Sequence, residues 1–438
     1  MSRVVVLASL MPLLLGACAH QAYVLDAEPI QDVFEPVIVS PVRTAIEVNA
    51  PPPPPDGLSD SSSAVADAAL EIHVFSIGQA DSMLIIGPAP ERKTLLIDLG
   101  EAMTGQPREN FLKVAQRILD LTGRTHVDYF LLTHYHFDHA GNSGNGLAGL
   151  LDNVDPQFTI GTVIDIGEQG AEFMRDSRGV FQTFNLNMER WLQQGTVSSR
   201  SSAEPGSHAI ELGGGVDIEI VAAGGRVFAG DDGALAAVAA MEPGIYEEAP
   251  GSENDLSVAV EVSFGAFEFF TAGDLNGAVD EDEPFTRRSF GGDTAETYTN
   301  VERYMVDHWQ QTGRESDVEV YRADHHGSMY SSIPTVLNVL DPEFVMYSTG
   351  GAYKHPERKP VENGATTARQ FVTTEISRET WPDSADFEAE RGAIVGEITI
   401  LVDQNGRSYS INGEQHRAYT DQEEADGADV GEEDRPTS

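Results

Sequence analysis

A single cysteine in 438 residues leaves no intrachain disulfide to staple a fold. Basic residues are also scarce: 27 Lys and Arg stand against 71 Asp and Glu, a formal net charge of −44. Long-range attraction to nucleic acid or to an anionic lipid surface is therefore unfavourable, and a polyanionic substrate has to be held locally by metal or by a few cations. The same acidity keeps an exported protein soluble. No internal repeat of roughly 20–50 residues stands out. Past the first eighteen residues no apolar run reaches membrane-spanning length, so a multi-helix channel is excluded. The length is enough for a sizeable core.

The chain begins MSRVVVLASLMPLLLGAC, with Arg3, an apolar run from Val4 to Leu15 and small residues before Cys18, which is the plan of a secretory signal rather than a membrane span. Because Cys18 follows Leu15, Gly16 and Ala17, this end resembles a bacterial lipobox, in which the Cys is lipid-modified. The expected location is the cell envelope, lipid-anchored at Cys18 on the periplasmic or outer-membrane face, or secreted. Residues 19–70, with PPPPP at 51–55 and SDSSSA at 59–64, read as a Pro/Ser-rich linker. Residues 416–438 read as an acidic, disordered tail. Between them lies one domain, 71–415.

EIHVFSIGQADSMLIIG (71–87) and KTLLIDLG (93–100) read as a hairpin with a buried face. Asn110 to Leu121 places Phe111, Leu112, Val114, Ile118, Leu119 and Leu121 on one helical stripe, ended by Gly123. Apolar strands follow after Asp128 and at 161–167, 215–223, 256–275, 318–328, 344–350 and 396–411, the last turning at Asn405–Gly406. Two stretches without strand signal, about 229–252 and 276–315, read as insertions, the second with an amphipathic helix near Val301–Trp309.

Several of these strands release a polar residue at the carboxy end: Asp98, His134, Asp274, His325 with His326, then His355. Their convergence at one edge of a layered α/β domain is how a site is built on rigid elements. The densest of them is THYHFDHAGN (133–142). His134 and His136 flank one residue, so in an extended loop they grip one ion from the same side, and Asp138 with His139 turn onto a second. Neutral imidazole with carboxylate suits Zn2+ or another first-row ion such as Mn2+ better than Ca2+ or Mg2+. Asp274 is placed to bridge two ions, and a His of HHGS to close the second. Two ions roughly 3.5–4 Å apart polarise a substrate oxygen and lower the pKa of bound water, which makes hydrolysis the natural reaction. His20, His73, His126, His308 and His416 lack such company and read as structural.

HYHFDH, preceded by TLLIDLG and followed by TAGDL, resembles the metallo-β-lactamase superfamily. HVFSIGQADSMLI, ADHHGSMYSS and the pair YSTG and YKHP (347–356) are similar to the metallo-hydrolase domain of the ComEC DNA-uptake family, in order across most of 71–412. The resemblance implies an α/β fold, a four-layer αβ/βα sandwich with two metals at one edge. The implied ligands are His134, His136, Asp138, His139, Asp274 and one of His325 or His326. Asp138, Asp98 and His355 form the implied catalytic set, with Asp98 hydrogen-bonding to a ligand from behind and His355 near the substrate oxygen as acid or donor.

The sequence departs from that pattern in places. Glu253, Asn254 and Asp255 stand where a further ligand His is often found, so the first ion is either under-coordinated or takes Asn254 or Asp255. His208, which like His308 falls between 139 and 325, reads as structural. Ala80 replaces the second Gly of the GQGD turn, and Gly351 an Asn. The expected activity is metal-dependent hydrolysis, first of phosphodiester bonds; a lactone, β-lactam or other acyl substrate is the alternative on the same site. An envelope-tethered binding protein without turnover is the third reading. Arg287, Arg288, Lys354, Arg358 and Lys359 are the candidate local cations. Nucleic acid is a possible but disfavoured substrate, and membrane contact is expected only through the lipid at Cys18.

Overall fold

In Phe267–Thr271, Phe269 belongs to one apolar cluster and Phe270 to another; Val320 and Tyr321 divide the same way, as do Phe344, Val345, Met346 and Tyr347. Residues one apart on a strand point to opposite faces, so this sheet is apolar on both. The computed structural model describes residues 43–46, 69–101, 109–167, 177–228, 235–237, 253–277, 285–289, 295–314 and 316–420. The expected signal with Cys18, His20, most of the linker, most of 229–252 and the tail beyond 420 lie outside the described residues.

Two nine-stranded sheets form the body. The first runs Glu414–Arg417, Ser408–Ile411, Ile398–Val402, Leu70–Val74, Met83–Ile86, Thr94–Ile97, His126–Leu131, Thr159–Asp165, Val197–Ser202. The second runs Leu235–Ala237, Arg226–Phe228, Asp217–Ala223, Ala259–Phe264, Phe267–Thr271, Val320–Arg322, Phe344–Tyr347, Arg369–Val372, Gly392–Ile394. Each begins antiparallel and turns parallel, the first between Thr94–Ile97 and His126–Leu131, the second between Phe267–Thr271 and Val320–Arg322. Parallel neighbours need a crossover, and helices supply it: Asn110–Thr122 in the first sheet, Val301–Thr312 and Pro334–Leu340 in the second.

The inward face of the second sheet joins the first in one core that also takes Phe111, Val114 and Ile118 of Asn110–Thr122. Its outward face meets Met305 and Trp309 of Val301–Thr312 and Val336 and Leu340 of Pro334–Leu340. The result is the four-layer α/β sandwich that the resemblance implies. Among the described residues no helix is long and apolar enough to cross a membrane.

Four expectations are corrected. Residues 71–87 are two strands, not one, because 75–82 leave the ladder to form a loop. The stretch 276–315 is not strand-free: Phe285–Ser289 pairs antiparallel with Ala295–Thr299, a backbone ladder that a search for buried alternation does not detect. The linker is not free throughout, since Thr44–Ala45 pairs parallel with Val154–Asp155 and Ile46 lies against the core. Strand Glu414–Arg417 also carries the domain past residue 415, because its backbone pairs with Ser408–Ile411. Polar Val197–Ser202 and helix Arg178–Gln194 had no recognised signal.

Candidate metal centre

The centre lies where strand ends from both sheets meet. Asp98 follows Thr94–Ile97 in a left-handed conformation, with φ of 55°. Its buried carboxylate accepts the Thr133 N–H at 2.8 Å and the Thr133 hydroxyl at 2.7 Å, and lies 2.8 Å from His139 Nδ1. Those bonds tie the HYHFDH loop to the strand beside it. With Nδ1 held, His139 turns Nε2 toward Asp274, 3.0 Å from Oδ1. Asp274 is fixed in turn by its backbone N–H, which donates to Ser257 Oγ at 3.2 Å.

His134 Nε2 stands 3.0 Å from His136 Nδ1 and 3.9 Å from Asp274 Oδ2. His325 and His326 sit after Val320–Arg322 in consecutive left-handed conformations, φ 49° and 53°. His326 Nδ1 is 2.7 Å from the Ser348 carbonyl, which it meets as a donor, leaving Nε2 to face Asp138 Oδ2 at 3.4 Å and Asp274 Oδ1 at 3.8 Å. His325 Nε2 is 3.8 Å from Asp274 Oδ2, with the amides of Asn254 and Asn276 against its ring.

Two groups of ligand atoms result, each within 4.8 Å: Asp81, His139, Asp274 and His326, and separately His134, His136 and Asp274. Asp274 belongs to both. Asp138 stands beside the first group through His326, and of the two adjacent histidines His326 is the one in a group. The donors fit a metal on one observation above all: His326 Nε2 and Asp81 Oδ1 are buried with no hydrogen-bond partner among the described residues, and His139 Nε2 and Asp274 Oδ1 face only each other, at 3.0 Å and without hydrogen-bond geometry. Buried polar atoms are otherwise almost always paired, so four converging imidazole and carboxylate atoms left without such a bond mark a cation position.

Burial raises the Asp274 carboxyl, but the imidazoles of His139, His326 and His325 outweigh it and hold it well below the usual range. Asp138 is lowered likewise, through His326 and His139 against burial. Both are thus carboxylates. Burial, with the neighbouring imidazoles, pushes His134 well below its ordinary value and His325 to about 4, whereas against burial Asp274 and Asp98 hold His139 well above its own, and Glu253 and Asp138 raise His136.

Two residues escaped the sequence reading. Asp81, in the loop that splits 71–87, is held by Arg322, whose guanidinium also donates to the Gly273 carbonyl at 2.7 Å. Its signal was the GQAD turn itself. Glu253 Oε2 is 3.3 Å from His136 Nε2, so the residue that reaches the first histidines is neither Asn254 nor Asp255; Asp255 instead accepts from Asn276 Nδ2 at 2.8 Å. His355 lies outside both groups. Its buried ring is 5.8 Å from that of His325 and 6.0 Å from that of His326, and burial lowers it well below its ordinary value. His208 pairs with Asp217 at the surface. Of the candidate cations, Lys354 pairs with Glu379 at 3.0 Å and Arg358 covers the Trp381 ring at 4.5 Å; Lys359 is exposed, and the side chains of Arg287 and Arg288 lie outside the described residues.

Fold and site together define a four-layer α/β sandwich with a buried His/Asp cluster at the carboxy ends of its strands. Among solved structures, Zn2+-bound PqqB from Methylobacterium extorquens is similar at TM-score 0.37 and 12% identity, over 75% of this chain and 99% of that one. A variant of the CmlA β-hydroxylase is similar at TM-score 0.36 and 12% identity over 76% of this chain; the match spans 54% of that longer protein. A Thermotoga maritima protein described as a Zn-dependent hydrolase of the metallo-β-lactamase superfamily follows at TM-score 0.24 and 11% identity, over 65% and 77%. No protein-family model matches the chain, and no curated protein does.

Proposed function

We propose that this chain is a metal-dependent hydrolase with phosphodiester bonds as its substrate class. The observation that carries the reading is the set of orphaned, converging donors around the shared Asp274 carboxylate. His139, His326, Asp274 and Asp81, with Asp138 alongside, would hold one ion; His134 and His136, with Asp274 and Glu253, would hold a second. Zinc or manganese there would supply Lewis-acid polarisation of a substrate oxygen and a water of lowered pKa.

The chain's own residues do the rest. Asp98 and the Ser348 carbonyl fix the tautomers of His139 and His326, so that Nε2 of each presents a lone pair. Arg322 keeps Asp81 aligned. His355, neutral and with Nδ1 unpartnered, stands ready to donate to a substrate oxygen. The HHGS and YKHP stretches support phosphodiesters over acyl substrates. The lipobox-like start supports export and anchoring through Cys18; palmitate labelling lost in Cys18→Ser tests that part.

Elemental analysis of purified protein, with turnover of bis-p-nitrophenyl phosphate, single-stranded DNA and nitrocefin, tests the function. Bound zinc or manganese, with diester turnover abolished in the His134→Ala/His136→Ala double variant, is expected. Nitrocefin turnover alone would replace the substrate class. Protein that takes up no such ion after supplementation would sink the reading.

A further inference from the structure

The centre has a neighbour that the ligands do not use. A cleft of about 560 Å3 opens beside it, walled by Tyr330, which follows His326 on one loop, and by Tyr353 and Lys354, which precede His355 on another. Its size is that of a small-molecule pocket.

Tyr353 is an aromatic side chain that is 55% exposed, with its ring 6.3 Å from that of His355. Partial burial and the Asp138 charge raise its phenol, so the ring lies within the field of the centre. Tyr353 and Lys354 are both left-handed, φ 51° and 71°. Two consecutive non-glycine residues hold that conformation only when their surroundings impose it. Here the Thr380 hydroxyl donates to the Lys354 carbonyl at 2.7 Å, and Trp381 Nε1 to the Pro356 carbonyl at 2.7 Å. The exposed ring is therefore positioned by its loop.

Charge in the cleft is close to balanced. Lys354 is engaged with Glu379, and Glu357 accepts the Met329 N–H at 3.2 Å. Arg378 and Glu375 line the cleft with no ion pair among the described residues. A polyanion would meet Glu375 and a chain of net charge −44, whereas a group with one acceptor edge would find Arg378.

We propose that this cleft recognises the non-leaving half of a small diester: a planar ring stacked on Tyr353 with its polar edge toward Arg378. The inference rests on the hydrolase reading and narrows it from polymers to aryl or nucleoside-like diesters.

The test compares bis-p-nitrophenyl phosphate with methyl p-nitrophenyl phosphate. In both, water replaces p-nitrophenolate on phosphorus and the proton goes to solvent; only the retained group differs. Wild-type kcat/KM should favour the diaryl ester by about tenfold, the preference lying in KM. Tyr353→Ala should bring that ratio to about one, Tyr353→Phe should keep it and Arg378→Ala should lower it, with zinc content and circular dichroism confirming folded protein. A wild-type ratio near one, or an unchanged ratio in Tyr353→Ala, overturns the proposal. If neither ester is turned over, the phosphodiester reading fails, and calorimetric binding of phenyl phosphate decides the cleft. Affinity about tenfold weaker in Tyr353→Ala upholds it, and equal affinity overturns it.

Discussion

Replacing Asp98 by Asn changes one atom in the most constrained part of the site. The carboxylate, 1% exposed, receives three bonds, from Thr133 N–H, the Thr133 hydroxyl and His139 Nδ1. In Asp98→Asn the remaining carbonyl oxygen keeps the Thr133 N–H. The new NH2 then faces His139 Nδ1–H, donor against donor. The Thr133 hydroxyl rotates to accept; the imidazole cannot. Its proton moves to Nε2, which then points an N–H at Asp274 where a lone pair is needed for an ion. Losing a buried hydrogen bond to a charged group costs about 1.5–3 kcal/mol, and losing the group that orients a histidine ligand lowers metal affinity by about 10–100-fold. Competition titration against a chromophoric chelator at near-neutral pH measures the second quantity, and urea unfolding of metal-free protein the first. Affinity within about twofold of wild type, in protein of wild-type stability, would refute the tautomer argument.

Three further outcomes follow from the same geometry. In Gly100→Ala the added Cβ would lie 1.6 Å from the Asp138 carbonyl oxygen, which also accepts the Asp81 N–H; the loop has to move, and loss of metal with destabilisation of about 3 kcal/mol is expected by elemental analysis and thermal unfolding. Glu253→Ala should weaken the His134–His136 position by about tenfold and leave the other intact, seen as bound ion falling from two toward one per chain during chelator titration. Burial works to raise the Glu397 carboxyl, but the His73 imidazole 3.8 Å away and hydrogen bonds from Arg117 hold it at about 2, below its unfolded value of 4.5. Its contribution is therefore full above 4.5 and lost as pH falls through about 2; with the side chain 25% exposed it comes to about 2 kcal/mol after allowance for screening. His73, raised through Glu397 and Glu71 against burial, runs the other way, contributing below 6.5 and losing its share as pH rises through its folded value. Arg117→Ala should lower the urea midpoint near neutrality and converge on wild type in acid; a pH-independent difference would contradict this.

What could be read from the chain was whatever announces itself over a few residues. HYHFDH, TAGDL and HHGS carry their chemistry in their spacing, and Asn110–Thr122 its apolar stripe and capping Gly123. What escaped depended on distance. Asp81 joins His139 and His326 only because a loop interrupts a run that looks like one continuous apolar strand. Glu253 meets His136 across 117 positions, a pairing that exists only once the second sheet is laid against the first. Val197–Ser202 was invisible because an edge strand satisfied by its ladder needs no apolar alternation, and Arg178–Gln194 because its buried face shows only Phe184, Met188 and Trp191 among polar neighbours. Choosing His326 over His325 depended on a carbonyl twenty-two residues away.

The backbone at His325 and His326 has a bearing on how such a protein ages under selection. Glycine would adopt both conformations without cost, whereas each imidazole there forfeits about 1 kcal/mol of folding free energy. A laboratory lineage bred only for heat resistance, with no demand on turnover, would be drawn early to codon 325 but not to 326, where losing the imidazole would also orphan the Ser348 carbonyl.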